Sequence, residues 1–154
     1  MQRNDDPIRA FKDDVPEESY TVPIGEAKVV KEGSDVTVIS YGAMLRTTMK
    51  ALEEMPEVNP EIIDLRTLSP LDTATIIKSV QKTGRAVVVN EAPKHIGFAA
   101  EIAALINEKA LLSLQAPVKR ITGWDIPMPF AKSEDFYLPN AYRIKKGVKE
   151  VMGF

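Results

Sequence analysis

Cysteine is absent from this chain of 154 residues, and histidine and tryptophan occur once each. The lack of cysteine excludes disulfide bonds, cysteine nucleophiles and thiolate metal sites, and a single histidine excludes a histidine-rich metal centre. The chain also lacks a run of about 18 apolar residues, and its opening residues, MQRNDDPIRAF, lack the apolar stretch of a secretory signal. We therefore expect a cytoplasmic protein with no membrane partner.

Neither sign of charge dominates the composition. The 20 basic residues nearly balance the 22 acidic ones, and the formal net charge is -2. Such a chain has no strong positive field to attract nucleic acid, so we expect no nucleic-acid partner. The length is that of one ordinary domain, and the hydrophobic fraction of 44% is typical of a globular protein with one core.

The chain divides into an irregular start and a regular remainder. Residues 1–20 carry six acids against three bases and show little apolar periodicity. This pattern predicts an extended linker or truncated lead-in, followed by one folded domain over residues 21–154.

Short apolar strands alternate with amphipathic helices in the regular part. The turn over Glu32–Asp35 predicts a hairpin, with the first two strands as antiparallel neighbours. Four strand-to-helix units then indicate a three-layer α/β/α sandwich with a mostly parallel sheet. The predicted strands cover residues 27–31, 36–40, 61–65, 86–90 and 117–123, and the predicted helices cover residues 43–55, 69–84, 97–114 and 140–152.

The sequence NEAPKHIG lies between the strand at 86–90 and the longest helix. Loops at the carboxyl ends of strands are where open α/β sheets bind ligands. Lys94, His95 and Gly97 are therefore a candidate anion site, in which backbone N–H groups and positive charge would hold a phosphate or carboxylate. The sequence has no glycine-rich phosphate motif, so a purely structural turn is the competing interpretation.

Four further residues are candidates for contacts between loops or subunits. Glu91, at a strand end, is either an anchor for the loop or a catalytic acid, and a charge at that position requires a partner if it is buried. Arg66 suits either a bidentate anion contact or a bond between loops or subunits. Trp124, in GWDIPMPF, fits either a protein interface or a loop folded over the core. Phe154 ends the chain and can pack internally or contact a partner.

Seven segments, in order, carry a family resemblance. They are DVPE, YTVPIGEAKVVKEGSDVTVISYG, IDLRTLSPLD, KTGRAVVVNEAP, GFAAEIAA, APVKRITG and YLPNAYRI. Together they resemble the C-terminal domain of the beta subunit of thiamine-diphosphate-dependent 2-oxo acid dehydrogenases of the pyruvate, branched-chain or acetoin type. The resemblance covers about Asp14 to Phe154.

The resemblance implies a transketolase C-terminal-like fold, with a five-stranded mixed sheet whose first strand is antiparallel. In the family, a preceding domain activates the thiamine diphosphate, and the alpha subunit binds the diphosphate and the magnesium ion. We therefore expect this chain to be a fragment, a truncated form or a split-gene product that binds no cofactor or metal, contributes no catalytic residue and is inactive alone. Many members have histidine where this chain has Asn90, so no role of that histidine is carried over.

Two hypotheses of function follow from these features. In the first, which the resemblance implies, the chain is a non-catalytic assembly domain of the decarboxylase. Its partners would be a second beta subunit, the alpha subunit and, around Phe154, the peripheral-subunit-binding domain of the acyltransferase core. In the second, it is an autonomous small-molecule or anion-binding domain that uses the Lys94–Gly97 loop. A complete decarboxylase is disfavoured because the cofactor domains of the family have no counterpart in the chain.

Overall fold

The computed structural model describes residues 17–129 and 133–154. Strands and helices alternate through most of this part, and a 3₁₀ turn follows α3. The elements are β1 (Lys28–Lys31), β2 (Val36–Ser40), α1 (Ala43–Glu53), β3 (Pro60–Asp64), α2 (Thr73–Thr83), β4 (Ala86–Pro93), α3 (Ala99–Ala110), the 3₁₀ turn (Leu111–Ser113), β5 (Lys119–Gly123), α4 (Glu134–Tyr137) and α5 (Ala141–Met152).

The five strands form one mixed sheet in the order β1-β3-β2-β4-β5. Strand β1 runs antiparallel to β3, and all other pairs are parallel. The sequence prediction of an antiparallel first strand is confirmed, but its hairpin with β2 is wrong, because β3 lies between the two strands. The reason is the turn at Gly33–Asp35, where the backbone N–H groups of Ser34 and Asp35 both donate to the carbonyl of Asn59, at 3.0 and 3.1 Å. The turn therefore bonds to the start of β3 instead of closing a hairpin.

Two layers of helices cover the sheet and confirm the three-layer sandwich. Helices α1 and α5 pack with Val36, Val38 and Val87 on one face. Helices α2 and α3 pack with Ile39 and Val88 on the other. Successive residues of a strand point to opposite faces, so β2 and β4, which lie in the middle of the sheet, contribute to both cores.

Several element ends differ from the prediction for local reasons. Helix α2 begins at Thr73 instead of residue 69 because Asp72 caps it, with its Oδ1 accepting from the N–H of Thr75 at 3.0 Å. The helix ends at Thr83, one residue before the predicted end, and Gly84 adopts the left-handed conformation that glycine tolerates without strain. Strand β4 continues three residues beyond the prediction because Pro93 pairs with Gly123 of β5.

The sheet has two functionally distinct edges. The carboxyl edge is where β2 to β5 end, and the amino edge is where they begin. Beyond the carboxyl edge, the chain leaves β2 for α1 on one face and leaves β4 for α3 on the other. Such a divergence opens a crevice, and ligands of α/β sheets commonly bind at this position.

Part of the predicted lead-in, residues 1–16, lies outside the described residues, and residues 17–24 are exposed. The boundary at residue 20 stays a prediction. Among residues 17–129 and 133–154, the helices are all too short or too polar to cross a bilayer.

Candidate functional site at the carboxyl edge

A buried amide lies where β4 reaches the carboxyl edge. Asn90 is fully buried, and its Nδ2 donates to the hydroxyl of Tyr41, just beyond β2, at 3.1 Å. Its Oδ1 is also buried and accepts no hydrogen bond within the described part of the chain. Glu91, the next residue, is exposed. Water therefore solvates this carboxylate, and the buried partner considered for Glu91 is not required.

The loop after β4 is bonded to the loop after β5. Asp125 accepts from the backbone N–H of His95 at 2.7 Å through Oδ1, and its Oδ2 lies 2.8 Å from the Nδ1 of the same residue. These contacts hold the pKa of Asp125 below its usual range, mainly through the backbone N–H of His95. Next to them, the guanidinium of Arg120 donates to the carbonyl of Lys94 at 3.0 Å. A carboxylate of the chain itself therefore takes the His95 donors that a bound anion would need.

Gly97 has a steric reason to be glycine. A Cβ at this residue would lie 2.2 Å from the carbonyl oxygen of Pro93. The side chains of Lys94 and His95 are both exposed, on the outside of the loop. This arrangement favours the structural turn. The anion site at Lys94, His95 and Gly97 stays a prediction.

Ile96 occupies the tip of the same loop in an unusual state. Its φ is 62°, and its side chain is fully exposed. A β-branched residue rarely adopts this left-handed conformation, which costs on the order of 1 kcal/mol or more. An apolar side chain is thus held in water at a conformational cost.

Trp124 is exposed but fixed in orientation. Its indole N–H donates to the carbonyl of Phe136 at 2.9 Å, and the guanidinium of Arg143 lies 4.3 Å from its ring centre. The loop that follows exposes Ile126 and Met128. Phe130 of the predicted interface loop lies outside the described residues. We define the loop surface as the exposed apolar side chains Ile96, Trp124, Ile126, Met128 and Phe136.

The other two interface candidates lie away from the loop surface. Arg66 is exposed after β3 with φ 57°, and its N–H donates to Asp64 Oδ1 at 3.1 Å. Strands β2 and β4 separate β3 from β5, so Arg66 and Trp124 follow strands roughly 14 Å apart. Phe154 follows α5, which runs from the carboxyl edge to the amino edge, and is exposed at that far end.

A cavity of about 370 Å³ lies between α1 and the segment leading into α5. One of its acids, Glu54, is already paired with Lys145 at 2.5 Å. No sequence pattern predicted this cavity, because the helix beside it, α4, has only four residues and shows no periodicity. The cavity is lined by Met44, Arg46, Thr47, Lys50, Glu54, Asp135, Leu138, Pro139, Asn140 and Ala141.

Sequence reasoning singled out Trp124 and the loop after β4 but missed the residues that hold them. Asp125 is distant in sequence from His95, and both Phe136 and Arg143 are distant from Trp124. Because all three are ordinary residue types, neither motif nor periodicity marks them. Ile96 had a weak signal, as an apolar residue in a polar loop.

Comparison with known proteins identifies the fold. Residues 25–144 match the family model described as the C-terminal domain of transketolase. This chain belongs to that family. A split-gene transketolase in an inactive beta4 tetramer superposes with a TM-score of 0.75 over 92% of this chain and 46% of that one, at 23% identity.

Curated relatives at higher identity place the chain more narrowly. It is 44% identical to the beta subunit of the pyruvate dehydrogenase E1 component of Bacillus subtilis, over 99% of this chain and 50% of the relative. The same subunit of Staphylococcus epidermidis is 47% identical over 95% of this chain and 46% of the relative. The resemblance to the C-terminal domain of such beta subunits is confirmed. The chain spans about half the length of the curated relatives it matches.

Proposed function

We propose that the chain is the non-catalytic assembly domain of a pyruvate-type 2-oxo acid dehydrogenase beta subunit. The observation that carries this is the 44% identity to a pyruvate dehydrogenase E1 beta subunit over nearly the whole chain, which covers only half of that relative. An oxidative decarboxylation by the complete enzyme, in the cytoplasm, would then use thiamine diphosphate and magnesium held by other domains. In the described part of the chain, no cluster of three or more His, Cys, Asp or Glu side chains is suited to a metal ion.

The carboxyl edge supports an assembly role by its chemistry. Exposed aromatic and aliphatic side chains in fixed orientation are typical of protein interfaces. Trp124 is the strongest interface residue on this ground, and Glu91 lies exposed at the end of β4 on the same edge. Arg66 would contact a subunit beyond β3, and Phe154 would contribute to docking of the acyltransferase core at the amino edge.

A replacement experiment tests the proposal. The C-terminal half of the Bacillus subtilis beta subunit is exchanged for this chain, and the hybrid is produced with the alpha subunit from the same organism. We expect a complex of the size of the native one, with pyruvate-dependent reduction of an artificial electron acceptor, and no turnover by the chain alone. A hybrid that folds, as judged by circular dichroism, but does not co-elute with the alpha subunit would contradict the proposal.

The docking role of Phe154 has its own test. Removal of Gly153 and Phe154 from the hybrid should weaken its binding to the peripheral-subunit-binding domain while the complex with the alpha subunit persists. Unchanged affinity would remove Phe154 from the proposal and leave the assembly role intact.

The second hypothesis, anion binding at Lys94–Gly97, also remains a proposal. Titration of phosphate and of thiamine diphosphate against the amide signals of Lys94, His95 and Gly97 tests it. The absence of a saturable shift would exclude it.

A further inference from the structure

We propose that the cavity between α1 and the segment leading into α5 binds an apolar amino acid in its zwitterionic form. In this assignment Lys50 and the start of α5 contact the carboxylate of the ligand, Asp135 contacts its ammonium group, and the apolar side chain fills the cavity. All of these residues line the cavity and belong to this one chain. The inference therefore does not depend on the proposed function.

The size and the apolar lining of the cavity suit a small organic molecule. Its volume of about 370 Å³ lies in the range of roughly 300–1,000 Å³ that is typical of ligand pockets. Met44, Leu138, Pro139 and Ala141 provide apolar surface, and the side chain of Met44 is buried. A methionine thioether makes favourable contacts with aromatic rings. An aliphatic or aromatic side chain therefore gains free energy by leaving water for this cavity.

Helix α1 supplies an available positive charge. Lys50 is exposed, and its ammonium group has no ion-pair or hydrogen-bond partner among residues 17–129 and 133–154. Glu54, one turn further along the same face of α1, is instead paired with Lys145 at 2.5 Å. Arg46 lines the cavity one turn before Lys50, so the α1 wall carries two cations and one acid. This wall favours a ligand with a negative group.

The start of α5 adds hydrogen-bond donors to the same cavity. Asn140 caps the helix through its Oδ1, which accepts from the N–H of Arg143 at 3.0 Å, and its Nδ2 remains a donor. Ala141 is the first residue of α5, so its backbone N–H has no carbonyl partner within the helix. The positive end of the helix dipole lies at the same position. These groups support a carboxylate that Lys50 also contacts.

Asp135 supplies the opposite charge. It is exposed in α4 and forms no ion pair or hydrogen bond within the described part of the chain. Lys50 and Asp135 thus both line the cavity without pairing with each other. A simple carboxylic acid would leave Asp135 without a partner, whereas a zwitterion provides a partner for both residues. An apolar amino acid combines this pair of charges with an apolar side chain.

Titration of the chain with L-phenylalanine and two analogues, each lacking one charge, tests the inference. Hydrocinnamate keeps the carboxylate, and phenethylamine keeps the ammonium group. We expect L-phenylalanine to give saturable shifts of the amide signals within residues 44–50 and 135–141, and each analogue to bind about three- to fivefold more weakly. The inference is overturned if L-phenylalanine gives no saturable shift, if the shifts are confined to other residues, or if either analogue binds as tightly.

Substitutions that remove one charge at a time test the two contacts. Lys50→Met should weaken L-phenylalanine and hydrocinnamate by the same factor and leave phenethylamine unchanged. Asp135→Asn should weaken L-phenylalanine and phenethylamine and leave hydrocinnamate no weaker. Both residues are exposed, so the variants should fold, which circular dichroism checks.

Lys78→Met is the matched control. Lys78 is an exposed lysine of α2, which covers the opposite face of the sheet from α1 and α5. Its loss should leave the binding of all three compounds unchanged. If Lys50→Met and Asp135→Asn bind the three compounds as the parent chain does, or if Lys78→Met weakens L-phenylalanine as much as Lys50→Met, the inference fails.

Discussion

At the amino edge of the sheet, polar side chains are buried and bonded to one another, whereas at the carboxyl edge apolar side chains stand in water. The hydroxyl of Thr37 lies 2.7 Å from the hydroxyls of both Ser79 and Thr83 inside the fold. Beside them, the buried carboxylate of Glu61 pairs with Lys82. Each of these groups has its partners within the domain, although Leu112 and Phe154 are exposed at the same edge.

The carboxyl edge has the opposite arrangement. Ile96, Trp124 and Phe136 expose apolar surface, and Ile96 does so in a strained conformation. Asn90 Oδ1 is buried without a hydrogen bond in the described part. What distinguishes the two edges is therefore the buried polar network at the amino edge, which stabilises the domain, and the strained, exposed isoleucine beside a fixed tryptophan at the carboxyl edge.

The largest expected effect comes from breaking the amino edge at Glu61. Its side chain is only 4% exposed and also accepts from the N–H of Gly33 at 3.4 Å. Glu61→Ala should lower the free energy of unfolding by about 2 kcal/mol, since it leaves buried donors without an acceptor. Urea unfolding followed by circular dichroism measures the change. Glu32→Ala is the control, because Glu32 pairs with the same Lys82 but is 78% exposed, and it should cost less than about 1 kcal/mol. Equal losses in the two variants would contradict the role given to burial.

Acid should weaken the same edge. Burial alone would raise the pKa of Glu61, but hydrogen bonds from Lys82 and Ser79 outweigh it and hold the pKa below the usual 4.5. The unfolded chain then binds more protons in acid, so this contribution to stability is complete above about 4.5 and is lost as the pH falls through the folded pKa. Urea midpoints measured from about pH 6 to pH 3 should fall with a shallower slope in Glu61→Gln than in the parent chain. Identical slopes would show that other carboxylates, such as Asp72, control the acid response.

Local chemistry explains which features the sequence predicted. Strand β2 was placed correctly by its apolar run, and the end of α2 was predicted to within one residue by Gly84. These features depend on residues a few positions apart. The hairpin prediction failed because the neighbour of β1 was decided by β3, about 30 residues further along.

The candidate site shows the same limit. The exposed tryptophan loop was recognisable from residue types, but its orientation depends on Phe136 and Arg143, which only the fold brings near. The contact of His95 with Asp125 joins residues 30 positions apart. The positive φ of Ile96 could not be predicted from the sequence, because the residues that usually mark a positive φ are glycine and asparagine, and this position holds isoleucine.

A substitution at Ile96 should separate stability from association. Ile96→Gly removes the left-handed strain, although glycine makes the unfolded chain more flexible, so we expect a net gain of about 0.5 kcal/mol in the free energy of unfolding. The same change should weaken association of the hybrid beta subunit with the alpha subunit, measured by co-elution, if Ile96 contributes to assembly. Ile96→Asn is the control, since asparagine tolerates positive φ and keeps a side chain. A loss of stability in Ile96→Gly would mean that the isoleucine packs within the domain, contrary to its exposure.

The smallest expected effect concerns the bond between the two loops of the carboxyl edge. Asp125→Ala removes both contacts with His95. Asp125→Asn keeps an oxygen that can accept from the backbone N–H of His95. Because these groups are exposed, global stability should stay unchanged in both variants. The amide of His95 should exchange faster in Asp125→Ala and only slightly faster in Asp125→Asn. If exchange at His95 is unaltered in Asp125→Ala, the bond from Arg120 to Lys94 suffices to hold the loop, and the fixed orientation of Ile96 does not depend on Asp125.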